Sequence, residues 1–175
     1  MTAIKDINIR SALINEYEFI TAIQKNAVQR YGSDYTSYLL KEDDYQNYVR
    51  AQNVRVMESQ GRLVGYSISF EAGGDLFLYH LFVIVEEAGK GLGKELLGDV
   101  VGRAKKLGKR AVTLLTSASA PWNAPYYQKQ GFVVLEDKMP EYLSKRLENN
   151  IRFYEPQRIK TPLIVPRVAM ERLLS

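Results

Sequence analysis

The chain of 175 residues contains no cysteine, which excludes disulfides, thiolate metal ligands and a cysteine nucleophile. Its content of 46% hydrophobic and 25% charged residues is typical of a globular domain, and we expect a single domain over residues 1–175. The net charge is +4, and the sequence contains no dense block of Lys or Arg. The charge therefore does not indicate a nucleic-acid partner. No apolar run approaches the ~20 residues of a membrane helix and no signal-peptide pattern is visible, so we predict no membrane partner and a cytoplasmic location.

Strand and helix patterns alternate along the chain. The predicted strands cover residues 7–11, 53–59, 63–71, 76–85, 111–116, 132–136 and the end of segment 161–172. The predicted helices cover residues 15–30, 37–50, 91–107 and 123–130. The apolar composition of 76–85 predicts burial on both faces, whereas the polar segment 138–158 is expected to run outside the core, with a partly helical form as an open alternative. This order predicts a mixed α/β fold with one central sheet.

A Gly-rich segment separates the predicted buried strand from the next helix: Ala88-Gly89-Lys90-Gly91-Leu92-Gly93-Lys94. Glycines let the backbone approach a ligand, and the N–H groups of a helix N-terminus can point at a phosphate. A P-loop is excluded because Ala88 replaces its first glycine and Glu95 follows its lysine. A dinucleotide fingerprint lacks its third glycine. A phosphate turn and a plain connecting turn both remain open.

A second motif follows the next predicted strand: Pro121-Trp-Asn-Ala-Pro-Tyr-Tyr-Gln-Lys-Gln-Gly-Phe132. Together the two motifs resemble the GNAT acetyltransferases, whose pyrophosphate loop reads Gln/Arg-x-x-Gly-x-Gly/Ala. Gly91 and Gly93 match the small positions, while Ala88 replaces the usual Gln or Arg. The resemblance covers about residues 54–132 and the closing Arg167-Val-Ala-Met, and it is strongest to a bacterial subgroup with Pro-Trp-Asn-Ala-Pro-aromatic-Tyr. It implies an α/β fold with a mixed central sheet, a splayed strand pair and helices on both faces.

The resemblance also implies acetyl-CoA as co-substrate and direct transfer of its acetyl group to a small-molecule amine in a ternary complex. The turn from Ala88 to Lys94 would hold the pyrophosphate, with Lys94 adding a charged contact. The backbone of Leu81, Phe82 and Val83 would hold the pantetheine arm and the acetyl carbonyl. Asn123 would contact that arm, or would simply cap the short helix. Tyr127 would protonate the leaving thiolate, while Tyr126 would pack in the core.

His80 is the only histidine, and it aligns where many family members carry a glutamate that acts as general base. An imidazole with an unperturbed pKa of ~6.5 can accept the proton of an amine near neutral pH. Its alternative is a hydrogen-bonded histidine without chemistry, and Glu71 and Glu86 are weaker candidates for the base. A group of tyrosines either lines an acceptor pocket or forms a packed helix face: Tyr31, Tyr35, Tyr38, Tyr45 and Tyr48.

Two rival functions fit the same motifs, namely a non-catalytic acyl-CoA sensor and a nucleotide-binding regulatory domain. The missing Gln or Arg at Ala88 and the missing glutamate at His80 favour the sensor slightly. One histidine and scattered carboxylates predict no metal site. Family members often dimerise, so a homodimer is an expectation as well.

Overall fold

The computed structural model describes residues 6–31, 39–118, 120–136, 138–152 and 167–175. Three features of the sequence analysis lie outside these ranges: the start of the second helix at Ser37, the tyrosines Tyr35 and Tyr38, and residues 153–166. The strands are β1 Ile7–Ser11, β2 Val54–Ser59, β3 Arg62–Ala72, β4 Asp75–Val83, β5 Ala111–Ser117, β6 Val133–Val134 and β7 Arg167–Leu173. The helices are α1 Tyr17–Val28, α2 Glu42–Arg50, α3 Leu92–Lys106, α4 Asn123–Lys129 and α5 Glu141–Arg152.

The strands form one sheet in the order β1-β2-β3-β4-β5-β7-β6. The pair β4–β5 is parallel, with Leu76 opposite Val112 and Leu78 opposite Leu114. The pairs β1–β2, β2–β3, β5–β7 and β6–β7 are antiparallel. The predicted mixed α/β fold is therefore confirmed.

The described chain divides into two compact units, and the first comprises residues up to Phe70 together with Tyr79–Arg103. Its strands β2 and β3 bury side chains on both faces. On one face Val56, Tyr66 and Ile68 pack with Ile20 of α1 and Tyr45 of α2. On the other face Met57 and Val64 pack with Leu92 and Leu96 of α3. Strand periodicity explains this division, because consecutive residues point to opposite faces.

A β-bulge in β3 interrupts that periodicity at Val64. Met57 pairs with Gly65, whereas the next residue, Glu58, pairs with Leu63, so Val64 has no opposite residue in the ladder. The extra residue turns the Val64 side chain to the face of α3, although Tyr66 lies two positions further on the other face. The bulge thus supplies apolar contact to α3 near its first turn.

The second unit comprises residues 71–78 and the chain from Ala104 onward, and it is organised around a buried carboxylate. Asp75 is fully buried and accepts two hydrogen bonds of 2.9 Å from the guanidinium of Arg110. The Tyr142 hydroxyl of α5 donates to the same carboxylate at 2.8 Å and also contacts the Thr113 hydroxyl. A buried charge is tolerated where it is paired and hydrogen-bonded, and Asp75 meets both conditions.

Two predictions about burial were wrong. The strand predicted as buried over residues 76–85 is buried through Leu78, but Tyr79 is 43% exposed and the residues after it are half-buried. The segment 138–158, expected outside the core, contains α5, whose Leu143 is fully buried. Its helical period places Leu143 inward among charged neighbours, and a composition average over the segment conceals that side.

Gly73 is required by the approach of Tyr142. It lies in the β3–β4 turn with a φ of +55°, and a Cβ built there would lie 2.5 Å from Tyr142 Cδ1. Gly74, with a φ of +88°, has no atom within 4 Å of its Cβ position.

We expect Gly73→Ala to lower the free energy of unfolding by about 1–3 kcal/mol more than Gly74→Ala, in urea titrations of both variants. In a Tyr142→Ala background this excess should vanish, and its persistence would show that the ring is not the cause.

Glu16 closes an ion cluster near the start of α1. Its carboxylate binds Arg10 at 2.6 Å and accepts the Leu13 N–H at 2.7 Å, while Arg10 also binds Glu58 at 2.7 Å. Burial alone would raise the pKa of Glu16, but the hydrogen bonds from Arg10 and Leu13 outweigh it and lower that pKa.

Because the folded-state pKa of Glu16 lies below the ordinary value of ~4.3, its contribution to stability is complete above that value. The contribution is lost as pH falls through the lowered pKa. We expect Glu16→Gln to lower the free energy of unfolding by about 1–3 kcal/mol at pH 7, and the difference from wild type to shrink below pH 4 in the same titration. Glu141→Gln, which removes an exposed ion pair with Lys145, is the control. A deficit of equal size at every pH would contradict the linkage.

Candidate functional site

The segment between β4 and α3 presents an exposed backbone. A single 3₁₀ turn covers Val85–Glu87, and the chain is then extended at Ala88. Gly89 and Gly91 adopt φ values of +75° and +84°, and a Cβ at either would meet no atom within 4 Å. Both glycines are therefore explained by backbone conformation, and the outer side of this turn is open to an approaching ligand.

Helix α3 begins directly at this turn. The Gly91 carbonyl accepts the N–H groups of Lys94 and Glu95 at 3.1 and 3.2 Å. Helix geometry leaves the N–H groups of Leu92 and Gly93 without an acceptor inside the helix. The partial positive charge of a helix N-terminus makes this end favourable for an anion. The buried side chain of Leu92 holds the first turn against the core.

Asn26 of α1 fixes the backbone just before the turn. Its Oδ1 accepts the Val85 N–H at 2.7 Å, and its Nδ2 donates to both carboxylate oxygens of Glu86 at 3.2 Å. Sequence reasoning missed Asn26, because nothing in its own neighbourhood marks a contact with residues about 60 positions away. The same contacts occupy Glu86, one of the weaker candidates for the general base.

Glu87 forms ion pairs with two cationic side chains at the edge of the turn. Arg62, the first residue of β3, and Lys90 each bind a different carboxylate oxygen of Glu87 at 3.1 Å. Lys90 lowers the pKa of Glu87 most, and Arg62 lowers it further. Arg62 was also not predicted as a site residue from the sequence, because it lies in a hairpin that carries no motif.

The backbone groups at the end of β4 point alternately to the two edges of the strand. The Ile84 N–H donates to the Val64 carbonyl at 2.9 Å, and the Phe82 carbonyl lies 2.8 Å from the Cβ position of Gly65. Phe82 therefore faces β3. Because main-chain groups alternate along a strand, those of Leu81 and Val83 face the opposite edge. Of the three predicted backbone contacts to the cofactor, Leu81 and Val83 have the suitable direction.

His80 lies among aromatic rings and bonds to a buried phenol. Its Nδ1 is 3.1 Å from Tyr66 Oη, and Tyr66 is fully buried. Burial raises the pKa of Tyr66, so the phenol stays protonated. The Tyr79 ring stacks on the imidazole at 4.3 Å with an interplanar angle of 17°, and Phe82 meets it edge-on at 5.3 Å.

The Tyr66 hydroxyl can complete either neutral tautomer of His80. If it donates to Nδ1, the proton of the imidazole is on Nε2. If it accepts from Nδ1–H, the lone pair of the neutral imidazole is on Nε2. A general base needs the second arrangement, and the Tyr66 hydroxyl is compatible with it because a hydroxyl both donates and accepts.

The short helix α4 presents two adjacent tyrosines. The Tyr127 ring packs edge-on against the buried Phe132 at 5.6 Å and against Tyr126 at 5.1 Å. The Tyr126 hydroxyl is buried with no hydrogen-bond partner in the described part of the chain, and burial raises its pKa. Asn123 is the first residue of α4, and the residue before it, Trp122, holds the cap position.

The tyrosines predicted on α2 differ in their environments. Tyr45 is fully buried and donates to the Leu13 carbonyl at 2.6 Å, so the packed helix face is correct for this residue. Tyr48 stacks on Phe70 with ring centroids 6.0 Å apart and meets Tyr79 at the same distance. Tyr48 thus extends the aromatic surface that includes His80.

Other candidate features have structural explanations or are not seen. Glu71, the remaining candidate for the base, pairs with Lys109. In the described ranges no group of three or more His, Asp or Glu is placed to hold a metal ion. Among the described helices, none has the length and apolar character needed to cross a membrane.

A comparison with protein families matches residues 18–145 to the model described as "Acetyltransferase (GNAT) domain". This match covers more than half of the chain, including β4, the Gly-rich turn and α4. The narrower bacterial subgroup, with its Pro-Trp-Asn-Ala-Pro motif, stays a prediction.

Solved structures of acetyltransferases are similar throughout the chain. The PaiA N-acetyltransferase of Thermoplasma acidophilum, solved with coenzyme A, is 18% identical with a TM-score of 0.74, covering 97% of this chain and 99% of that one. YncA of Salmonella typhimurium, solved with its cofactor acetyl-CoA, is 20% identical with a TM-score of 0.68, over 97% and 95%. The ribosomal-protein-alanine N-acetyltransferase of Brucella melitensis is 18% identical with a TM-score of 0.69, over 95% and 99%. At these identities the likeness establishes the fold.

Proposed function

Since the chain belongs to the GNAT acetyltransferase family, we propose that it transfers the acetyl group of acetyl-CoA to a small-molecule amine by direct transfer in a ternary complex. The observation that carries this proposal is the exposed turn at Gly89 and Gly91 before the N-terminus of α3. Its open backbone and unsatisfied helix N–H groups suit a diphosphate. Two similar structures were solved with coenzyme A or acetyl-CoA, which supports the same ligand.

In this proposal the cofactor lies along the edge of β4 that faces away from β3. The N–H groups of Leu81 and Val83 are on that edge, and one of them would donate to the acetyl carbonyl as negative charge develops on its oxygen. Asn123, at the start of α4, would contact the pantetheine arm. Ala88 to Lys94 would surround the diphosphate, with backbone donors replacing the side chain that Ala88 lacks.

The proton transfers balance between two residues and water. His80 takes one proton from the ammonium form of the acceptor, the amine nitrogen bonds to the acetyl carbon and loses its second proton to water, and the carbon–sulfur bond breaks. Tyr127 gives its phenol proton to the departing thiolate. The products are the acetylated amine, free coenzyme A, and an enzyme whose two residues regain their protonation states from solvent.

The acceptor class is proposed only as an amine, and small amines, polyamines, amino acids, aminoglycosides and protein N-termini all belong in the assay panel. We further propose a cytoplasmic location, since the chain uses no cysteine, and a homodimer as in many family members.

Replacing Tyr127 tests the general acid. With the best acceptor of the panel, Tyr127→Phe should lower kcat about 10²-fold or more while the Kd for acetyl-CoA changes little, because only the proton donor is lost. Thiol release measures kcat and calorimetry measures Kd. Tyr126→Phe is the matched control, because it removes the neighbouring hydroxyl from the same helix. A larger loss in Tyr126→Phe would reverse the assignment, and wild type that binds acetyl-CoA but releases no thiol with any amine would support the sensor instead.

Replacing His80 tests the general base. His80→Gln should lower kcat at pH 7 by about 10²-fold, and added imidazole should restore part of it. Tyr66→Phe should give a smaller loss with an altered pH profile of kcat, because the ring stays and only the bond to Nδ1 is removed. Full activity of His80→Gln across the pH profile would exclude His80 as the base.

A further inference from the structure

Two cationic side chains from distant parts of the sequence meet at one carboxylate beside the Gly-rich turn. Arg62 Nη2 and Lys90 Nζ each lie 3.1 Å from a different oxygen of Glu87. The side chains of Arg62 and Lys90 are 61% and 50% exposed, whereas that of Glu87 is 15% exposed. The carboxylate is thus the inner member of the group, and both cations remain open to solvent.

We propose that Arg62 and Lys90 bind the diphosphate of the coenzyme, and that Glu87 positions both side chains for it. This inference rests on the proposed function, since the coenzyme must occupy the same turn. Arg62 and Lys90 would be binding residues, and Glu87 a positioning residue that acts through them.

The arrangement of β2, β3 and β4 explains why Arg62 lies beside Glu87. The Ile84 N–H donates to the Val64 carbonyl, so the first residues of β3 lie beside the last residues of β4. The β2–β3 turn at Gln60 and Gly61, with φ values of +52° and +75°, delivers Arg62 directly to this end of the sheet. A residue 25 positions before Glu87 therefore lies at the edge of the turn that follows β4.

Lys90 reaches the same place from within the turn. It lies between Gly89 and Gly91, whose left-handed conformations expose the neighbouring backbone. Glu87 begins the bend that the chain completes at Gly91, and its ion pair with Lys90 spans three residues. Ala88, between Glu87 and Lys90, has no polar side chain to offer a phosphate, whereas Lys90 and Arg62 each carry a positive charge at this turn.

The charges favour an anion of the size of a diphosphate. Two cations and one ionised carboxylate leave one net positive charge, which adds to the partial positive charge of the α3 N-terminus. Holding two long side chains in advance reduces the conformational entropy that a ligand would otherwise remove. On binding, each cation can exchange a carboxylate oxygen for a phosphate oxygen, which preserves a charge-assisted hydrogen bond.

The experiment compares the Kd values of CoA, dephospho-CoA and pantetheine by calorimetry. Arg62→Gln and Lys90→Gln should each raise the Kd of CoA and of dephospho-CoA about fivefold to tenfold, with a shallower dependence on salt. Neither should change the Kd of pantetheine, which has no diphosphate. Glu87→Gln keeps both cations but releases them, and should raise the Kd of CoA about twofold to threefold.

Arg50→Gln is the control, since it makes the same change in charge at the end of α2 and so beyond the opposite end of β2. Unchanged Kd values in Arg62→Gln and Lys90→Gln, with wild type still binding CoA, would overturn this inference alone. A loss confined to CoA would assign the cations to the 3′-phosphate and overturn the diphosphate assignment. Tighter binding by Glu87→Gln would overturn its positioning role. Wild type that binds no CoA would overturn the proposed function itself.

Discussion

Main-chain hydrogen bonding along the end of β4 is the constraint on which the rest of the site depends. Phe82 and Ile84 direct their backbone groups to β3, and this fixes Leu81 and Val83 toward the other edge. Backbone polar groups require partners when they are shielded from water. The backbone groups of β4 that face β3 are therefore used for pairing with β3, and only those on the other edge can serve a ligand. Gly65 allows the close approach of β3 and β4 because it has no Cβ.

Much of the fold was predictable because it follows from local periodicity and turn chemistry. The hairpin at Gln60 and Gly61 and the helix after Gly91 lie within a few residues of their predicted places. The predictions failed where a composition average conceals which side of an element faces inward, as in α5. They also failed in β4, where an apolar run is buried in its first half only.

The candidate site was predictable in its motifs and not in its contacts. The Gly-rich turn and the tyrosines of α4 carry local patterns, and the roles of their residues stay predictions. Asn26, Arg62 and Tyr66 carry no such pattern, because each acts on a residue that the sheet or a helix brings from elsewhere in the sequence. The sequence predicts the turn, whereas the side-chain contacts that hold it in place are visible only in the folded structure.

The three hydrogen bonds of the Asn26 amide join α1 to the segment that precedes the Gly-rich turn. One side chain thus connects a helix on one side with the entrance to that turn on the other. A displacement of α1 would therefore act on the start of this turn, and a change in the turn would act on α1 to the same extent, because such coupling is reciprocal.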